Sequence, residues 1–221
     1  MLWAAPVAAQ CRLALLLAMD ISSSVDEEED RLQRQGLAAA LTAPEVRQAL
    51  LSVPGDYVAL AVYEWSGRYQ QDMVLDWVML DSNAAIDAAA ARIAASKRSY
   101  AEFPTALGYA IGYGASVFAR APRCLFRTLD VSGDGVNNDG FPPRLAYTNF
   151  PLGGVTVNGL AINVANEDVE LYYLNELIRG PGAFVEVAEG FGDFERAMRR
   201  KLLRETQARV IGRLEDAGRP G

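Results

Sequence analysis

Residues 11–24 read CRLALLLAMDISSS, an apolar run from Leu13 to Met19 that ends abruptly in Asp20, Ile21 and the serines Ser22, Ser23 and Ser24. Seven apolar residues are far short of the roughly 20 that cross a bilayer, and no small-residue cleavage site follows them as it would follow a secretion signal. A short, continuous apolar run bounded by polar residues reads as a strand buried on both faces. Strands of that kind belong to parallel sheets covered by helices. Such sheets place their working sites at the carboxyl ends of the strands, where Asp20 and the serines stand.

Working outward, strand and helix patterns alternate to the end of the chain. Asp26–Leu41 has helical spacing and an acidic first turn, Asp26-Glu27-Glu28-Glu29-Asp30, that suits the helix dipole. Glu45–Leu51 reads as a short helix behind Pro44. Tyr57–Trp65 and Met73–Leu80 read as a hairpin around a Ser-Gly connection. Ala-rich helices are expected over Asn83–Ser96 and Thr105–Ala119, then a strand over Leu125–Leu129 and a Gly/Asn/Asp/Pro-rich loop from Asp130 to Pro143. Beyond lie a strand at Gly154–Ile162, a helix at Asp168–Ile178, a strand at Ala183–Ala188 and a long charged helix from Phe191 to about Leu214. The pattern predicts a doubly wound α/β fold. Its mostly parallel sheet carries helices on both faces and Met73–Leu80 as an antiparallel edge strand. No linker or repeat interrupts residues 11–216, which read as one domain followed by a tail at 217–221.

The composition narrows the chemistry. The 221 residues hold 51% hydrophobic and 22% charged side chains, the balance of an ordinary globular protein. They hold no histidine, which removes Ser-His-Asp and Cys-His catalysis and His-based zinc sites. A net charge of −7 argues against nucleic acid or an anionic membrane as partner.

Two further features bear on the compartment. Residues 1–10 begin MLWAAPVAA, and Val7-Ala8-Ala9 suits a signal-peptidase site, although the stretch lacks a basic start and full length. It reads either as the remnant of an export signal or as a frayed terminus. Cys11 precedes Asp20 by nine residues and Cys124 precedes Asp134 by ten. As two thiols they can simply fill the core. If their segments are neighbouring parallel strands, both sit near the amino ends, where they can bridge in an oxidising compartment such as the periplasm or the exterior.

In an extended segment the side chains at i, i+2 and i+4 point the same way, so Asp20, Ser22 and Ser24 can converge. Asp130-Val131-Ser132-Gly133-Asp134-Gly135 offers Asp134 from a second strand end, and Thr105 follows Pro104 at the start of an expected helix. Together they supply only hydroxyl and carboxylate oxygens, the hard ligands of Mg²⁺ or Mn²⁺, ahead of Ca²⁺. A cation held largely by neutral hydroxyls keeps net positive charge and seeks an acidic oxygen from outside.

This arrangement resembles the von Willebrand factor A (vWA) domain family and its metal-ion-dependent adhesion site (MIDAS): DxSxS after the first strand, a Thr in a second loop, and Asp-Gly after the fourth strand. Here the matching residues are Asp20, Ser22 and Ser24, then Thr105, then Asp134 with Gly135, and the likeness runs from about Arg12 to Leu214. The phrases Tyr63–Gly67 (YEWSG), Asp130–Asn138 (DVSGDGVNN), Val157–Ile162 (VNGLAI) and Gly180–Val185 (GPGAFV) resemble an exported bacterial subgroup of unknown function, DUF1194-like. The resemblance implies a Mg²⁺-dependent protein-binding module, with no catalytic residues, in which a partner's Asp or Glu completes the coordination. One departure is the bulky approach to Thr105, Tyr100-Ala101-Glu102-Phe103-Pro104, where family members often carry small residues.

Other readings fit less well. Asp130–Asp134 resembles an EF-hand start, but the twelfth position is Phe141 and a strand precedes it. A haloacid-dehalogenase phosphatase needs an acid where Ser22 stands. A serine hydrolase lacks His, and the chain's lysines, Lys97 and Lys201, lie far from the serines in sequence. A metal-assisted hydrolase and a structural subunit with a degenerate site are the remaining alternatives. The acidic run 26–30 reads as a solvated helix start or as a second metal site. Residues 137–140 (Asn-Asn-Asp-Gly) read as a turn near the metal, and Trp65 and Trp77 as core residues. Arg196, Arg199, Arg200, Lys201 and Arg204 form a basic stripe, expected to be solvated and paired with Glu residues.

Overall fold

The computed structural model describes residues 9–163 and 168–217. The expected export-signal remnant lies outside the described residues except for its last two positions, and the tail lies outside except for its first. Among the described residues six strands form one sheet in the order β3-β2-β1-β4-β5-β6. They are β1 (Gln10–Asp20), β2 (Asp56–Trp65), β3 (Gln71–Leu80), β4 (Cys124–Gly133), β5 (Val155–Ile162) and β6 (Val185–Ala188). All neighbours pair in parallel except β2 and β3, the expected hairpin at the sheet edge. The strand order reverses between β1 and β4, so a crevice opens at their carboxyl ends.

The central strand is buried on both sides, as its sequence implied, and its two faces serve different helices. Leu13, Leu15, Leu17 and Met19 pack into a core with α1 (Glu27–Thr42), α2 (Pro44–Leu50), α3 (Asn83–Ala94) and α7 (Phe194–Ala217). Ala14, Leu16 and Ala18 face the other core, with α4 (Leu107–Phe118), α5 (Pro143–Asn149) and α6 (Val169–Tyr172). Cys11 and Cys124 are register partners on β1 and β4 and form a disulfide, with Cα atoms 4.5 Å apart. Among the described residues no helix is long and apolar enough to cross a membrane.

Four expectations change. Strand β4 runs on through Gly133, so the residues Asp130–Gly133, expected in a loop, are sheet. Helix α5 was not expected at all. Its seven residues follow a Gly/Pro-rich stretch, bury only Pro143 and Ala146, and show no helical stripe beyond the proline at the first turn. The helix expected over Asp168–Ile178 is one α-turn that widens into a π-helical turn, Tyr173–Leu177, seating both of those residues in the core against Gly159. The basic stripe is only partly solvated. Arg199 and Arg200 pair with Glu45 and Glu186 near the surface, but Lys201 is fully buried.

Candidate metal centre

The crevice is assembled from three chain segments. The first leaves β1. Asp20 is fully buried and its Oδ1 accepts the amide of Ser22 at 2.7 Å, which folds the segment tightly behind the strand. Ser22 Oγ lies 3.1 Å from Ser24 Oγ, and Ser24 Oγ donates to Asp134 Oδ1 at 2.8 Å. Asp134 belongs to the second segment, one residue beyond β4. The register pairs Met19 with Ser132, so the strands deliver Asp20 and Asp134 to the same end of the sheet. The third segment brings Thr105, buried two residues ahead of α4. Its amide donates to Asn138 Oδ1 at 2.9 Å and its carbonyl accepts from the amides of Asn138 and Asp139. Its hydroxyl faces the Asp134-Gly135 turn, 3.6 Å from where a Gly135 Cβ would sit.

The electrostatics show a deficit of positive charge. Burial, then the charge of Asp134, pushes the Asp20 carboxyl up to about 8, and hydrogen bonds from Ser22 and the more distant Arg98 offset only part of this. Asp20 Oδ2 is buried without a hydrogen-bond partner among the described residues. So is the hydroxyl of Tyr173, which burial and then the charges of Asp20 and Asp134 hold well above its ordinary range. Both atoms crowd Gly133: a Cβ there would come within 2.7 Å of Asp20 Oδ2 and 2.6 Å of the Tyr173 hydroxyl. Among the described residues no three His, Cys, Asp or Glu side chains are grouped to hold a metal ion. A cation at this crevice would therefore rest on hydroxyls beside two carboxylates, and the orphaned Asp20 oxygen suits such a guest.

Several supporting residues carried no motif. Arg98 donates to the carbonyls of Ile21 (2.8 Å), Val25 (2.7 Å) and Tyr100 (2.7 Å), which clamps the serine segment to the Thr105 segment. Ser23 adds a backbone bond to Phe103 O at 2.8 Å. Gln33 of α1 donates to Asp20 O at 2.9 Å. Arg34 pairs with Asp30 and Glu64, and Glu64 Oε1 accepts the amide of Ser99 at 2.7 Å. The one signal in the sequence was that Gln33 and Arg34 fall on the inward face of α1, beside Leu37.

The acidic run is the start of α1. Asp26 caps it, Glu29 closes a capping box, Glu28 pairs with Arg31, and Asp30 turns inward to Arg34. Trp65 is buried, as expected for core. Asp139 pairs with Arg68 across the rim at 2.7 Å, joining the β2–β3 turn to the loop after β4.

This sheet order, with a hydroxyl–carboxylate crevice at its reversal point, is a vWA-like fold. Within that class the chain belongs to the family described as "Protein of unknown function (DUF1194)", whose model matches residues 10–210. No curated protein matches it. Solved structures share the fold at low identity. Proximal thread matrix protein 1 from the mussel byssus is 13% identical with a TM-score of 0.66, over 90% of this chain and 49% of that one. A von Willebrand factor type A protein from Catenulispora acidiphila is 18% identical with a TM-score of 0.56, over 90% and 43%. The vWF domain of the type V pili tip protein Mfa5 from Porphyromonas gingivalis is 10% identical with a TM-score of 0.59, over 90% and 95%. The chain thus spans less than half the length of the first two. A second structure of the mussel protein, with a TM-score of 0.60, is described with a zinc-occupied MIDAS motif.

Proposed function

We propose that this domain binds an exported partner protein through a divalent cation held by Asp20, Ser22, Ser24, Thr105 and Asp134. The observation that carries this reading is the chain of contacts from Asp20 through Ser22 and Ser24 to Asp134, beside a buried Asp20 oxygen that has no hydrogen-bond partner among the described residues. When bound, the cation supplies the positive charge that the crevice lacks and an open position for an Asp or Glu of the partner. The hydroxyls hold the ion without neutralising it, and Asp20 and Asp134 fix its place. An acidic chain of net charge −7 gains in this way a local centre that attracts an acidic side chain. An open cleft of about 940 Å³ lies beside the site, lined by Ser23, Asp26, Arg31, Lys97 and Arg98, and gives room for the flanking residues of a partner segment. The Cys11–Cys124 bond supports a periplasmic or secreted location.

The cation is expected to be Mg²⁺ or Mn²⁺, and Zn²⁺ joins the test because a solved neighbour is described with zinc in this motif. Thermal unfolding with each cation is the first measurement, since a ligand of the native state raises the melting temperature. Millimolar Mg²⁺ or Mn²⁺ should raise it in the wild type and leave Ser24→Ala and Asp134→Ala unmoved. No shift with any of the three cations would refute the site. Capture of an exported protein that EDTA releases, and Mg²⁺ restores, would establish the binding role. Hydrolysis of phosphate or ester substrates that Asp134→Ala abolishes would replace it with an enzymatic one.

A further inference from the structure

Away from the crevice, a second group of ionisable side chains is sealed between α7 and the sheet. Lys201 of α7 is 0% exposed, Asp130 of β4 is 1% and Glu205, one turn along from Lys201, is 3%. Lys201 Nζ lies 3.1 Å from Asp130 Oδ1 and 3.3 Å from Glu205 Oε1. The contact with Glu205 is an aligned hydrogen bond. The shorter one with Asp130 is not, and neither Asp130 oxygen has an aligned partner among the described residues. Asn158 Nδ2 donates to the same Glu205 Oε1 at 2.7 Å, and Asn158 Oδ1 accepts the amide of Phe184 at 3.1 Å. The Phe184 ring stands 4.5 Å from Nζ, with the guanidinium of Arg204 stacked on that ring at 3.8 Å.

Two carboxylates facing one ammonium in a dry interior leave one negative charge in excess, and burial makes that excess costly. The group is relieved when one carboxyl carries a proton, and burial, the largest influence, does push Asp130 up to about 7 against the pull of Lys201. A buried amine, a carboxyl that can be neutral and a second carboxylate bonded to that amine form a nucleophile, an electrophile and a proton carrier held in contact. Fixed proximity of this kind replaces an improbable encounter by a local one, with effective concentrations that reach about 10⁵ M or more.

We propose that Lys201 and Asp130 condense within the folded chain to an isopeptide bond, with Glu205 as the catalytic acid–base residue. The bond formed is Nζ–Cγ, and the bond broken joins Cγ to one Asp130 oxygen. Of the three protons on the Lys201 ammonium, one stays on the amide nitrogen and two leave with that oxygen as water. Glu205 takes a proton from the ammonium, freeing the lone pair for attack on Cγ, and returns it to the departing oxygen, so it ends as it began. No oxidant, metal or cofactor enters the balance. The neutral amide replaces the Lys201 ammonium and the Asp130 carboxylate, so of the three buried charges only that of Glu205 remains, bonded to Asn158.

The test uses the full chain, purified, reduced, denatured and weighed intact by mass spectrometry. The expected mass is lower by one water than the sequence requires. Trypsin should then release a branched peptide joining Thr128–Arg144 to Lys201–Arg204, because the acylated lysine is no longer a cleavage site. Asp130→Asn should give the same branched peptide with loss of ammonia in place of water, and Glu205→Gln should retain the full sequence mass. A wild-type chain of full mass, with the unbranched Thr128–Arg144 peptide recovered, overturns the proposal whether or not any variant folds. Condensation that survives Glu205→Gln overturns the role given to Glu205.

Discussion

Asp20 sets the chemistry of the proposed site, because proton and cation would compete for the same carboxylate. Its carboxyl is raised to about 8 from an unfolded value near 3.8, so between these limits the native state holds a proton that the unfolded chain has released. The stability this gives the cation-free domain is full below the unfolded value and is lost as pH rises toward 8. Cation binding needs the ionised form and should strengthen over that same range. The Mg²⁺-induced rise in melting temperature is therefore expected to be larger at pH 8 than at pH 6; equal shifts would separate Asp20 from the cation. Gly133 is the steric counterpart. A methyl group there would overlap Asp20 Oδ2 and the Tyr173 hydroxyl, so Gly133→Ala should destabilise the fold by about 1–3 kcal/mol in urea unfolding. It should also weaken the cation response more than Gly153→Ala, whose Cβ would meet nothing.

At the scale of elements, the loops around the crevice are held by side chains that no motif marks. Arg98 bonds carbonyls on both the serine segment and its own loop, so Arg98→Ala should lower the apparent cation affinity by tenfold or more in a thermal-shift titration. Wild-type affinity in that variant would show that the serine segment keeps its shape unaided. Asp26→Ala removes the cap of α1 and should cost about 1 kcal/mol in chemical unfolding, with the cation response retained if the acidic run only starts a helix. Loss of that response would reinstate a second metal site. Elements with strong periodicity were legible in the sequence: the strands, the edge hairpin and helices α1, α3 and α4 stand within a few residues of their expected places. Helix α5 and the π-turn were not, because their geometry comes from packing on α4 and on Gly159 rather than from a stripe of their own. Proximity in the site was legible where it depends on strand ends, as for Asp20 and Asp134. It was illegible for Arg98, Glu64 and Tyr173, which reach the crevice only through the tertiary fold.

Across the whole molecule, the disulfide and the crevice stand at opposite ends of β1 and β4. Replacing both cysteines, Cys11→Ser with Cys124→Ser, should lower stability by about 2–4 kcal/mol in chemical unfolding. The response to Mg²⁺ should be unchanged, since Cys11 is nine residues of strand, roughly 30 Å, from Asp20. A lost cation response would mean that the far pole shapes the site. The same arrangement has a mechanical side. A load applied at the crevice would pull on the carboxyl end of β1 and pass down that strand as shear against the parallel ladders of β2 and β4. At the amino end the strand meets the covalent bond from Cys11 to Cys124. Tension entering at Asp20 is thus passed into β4 through Cys124, and the central strand cannot be drawn out of the sheet while that bond is intact.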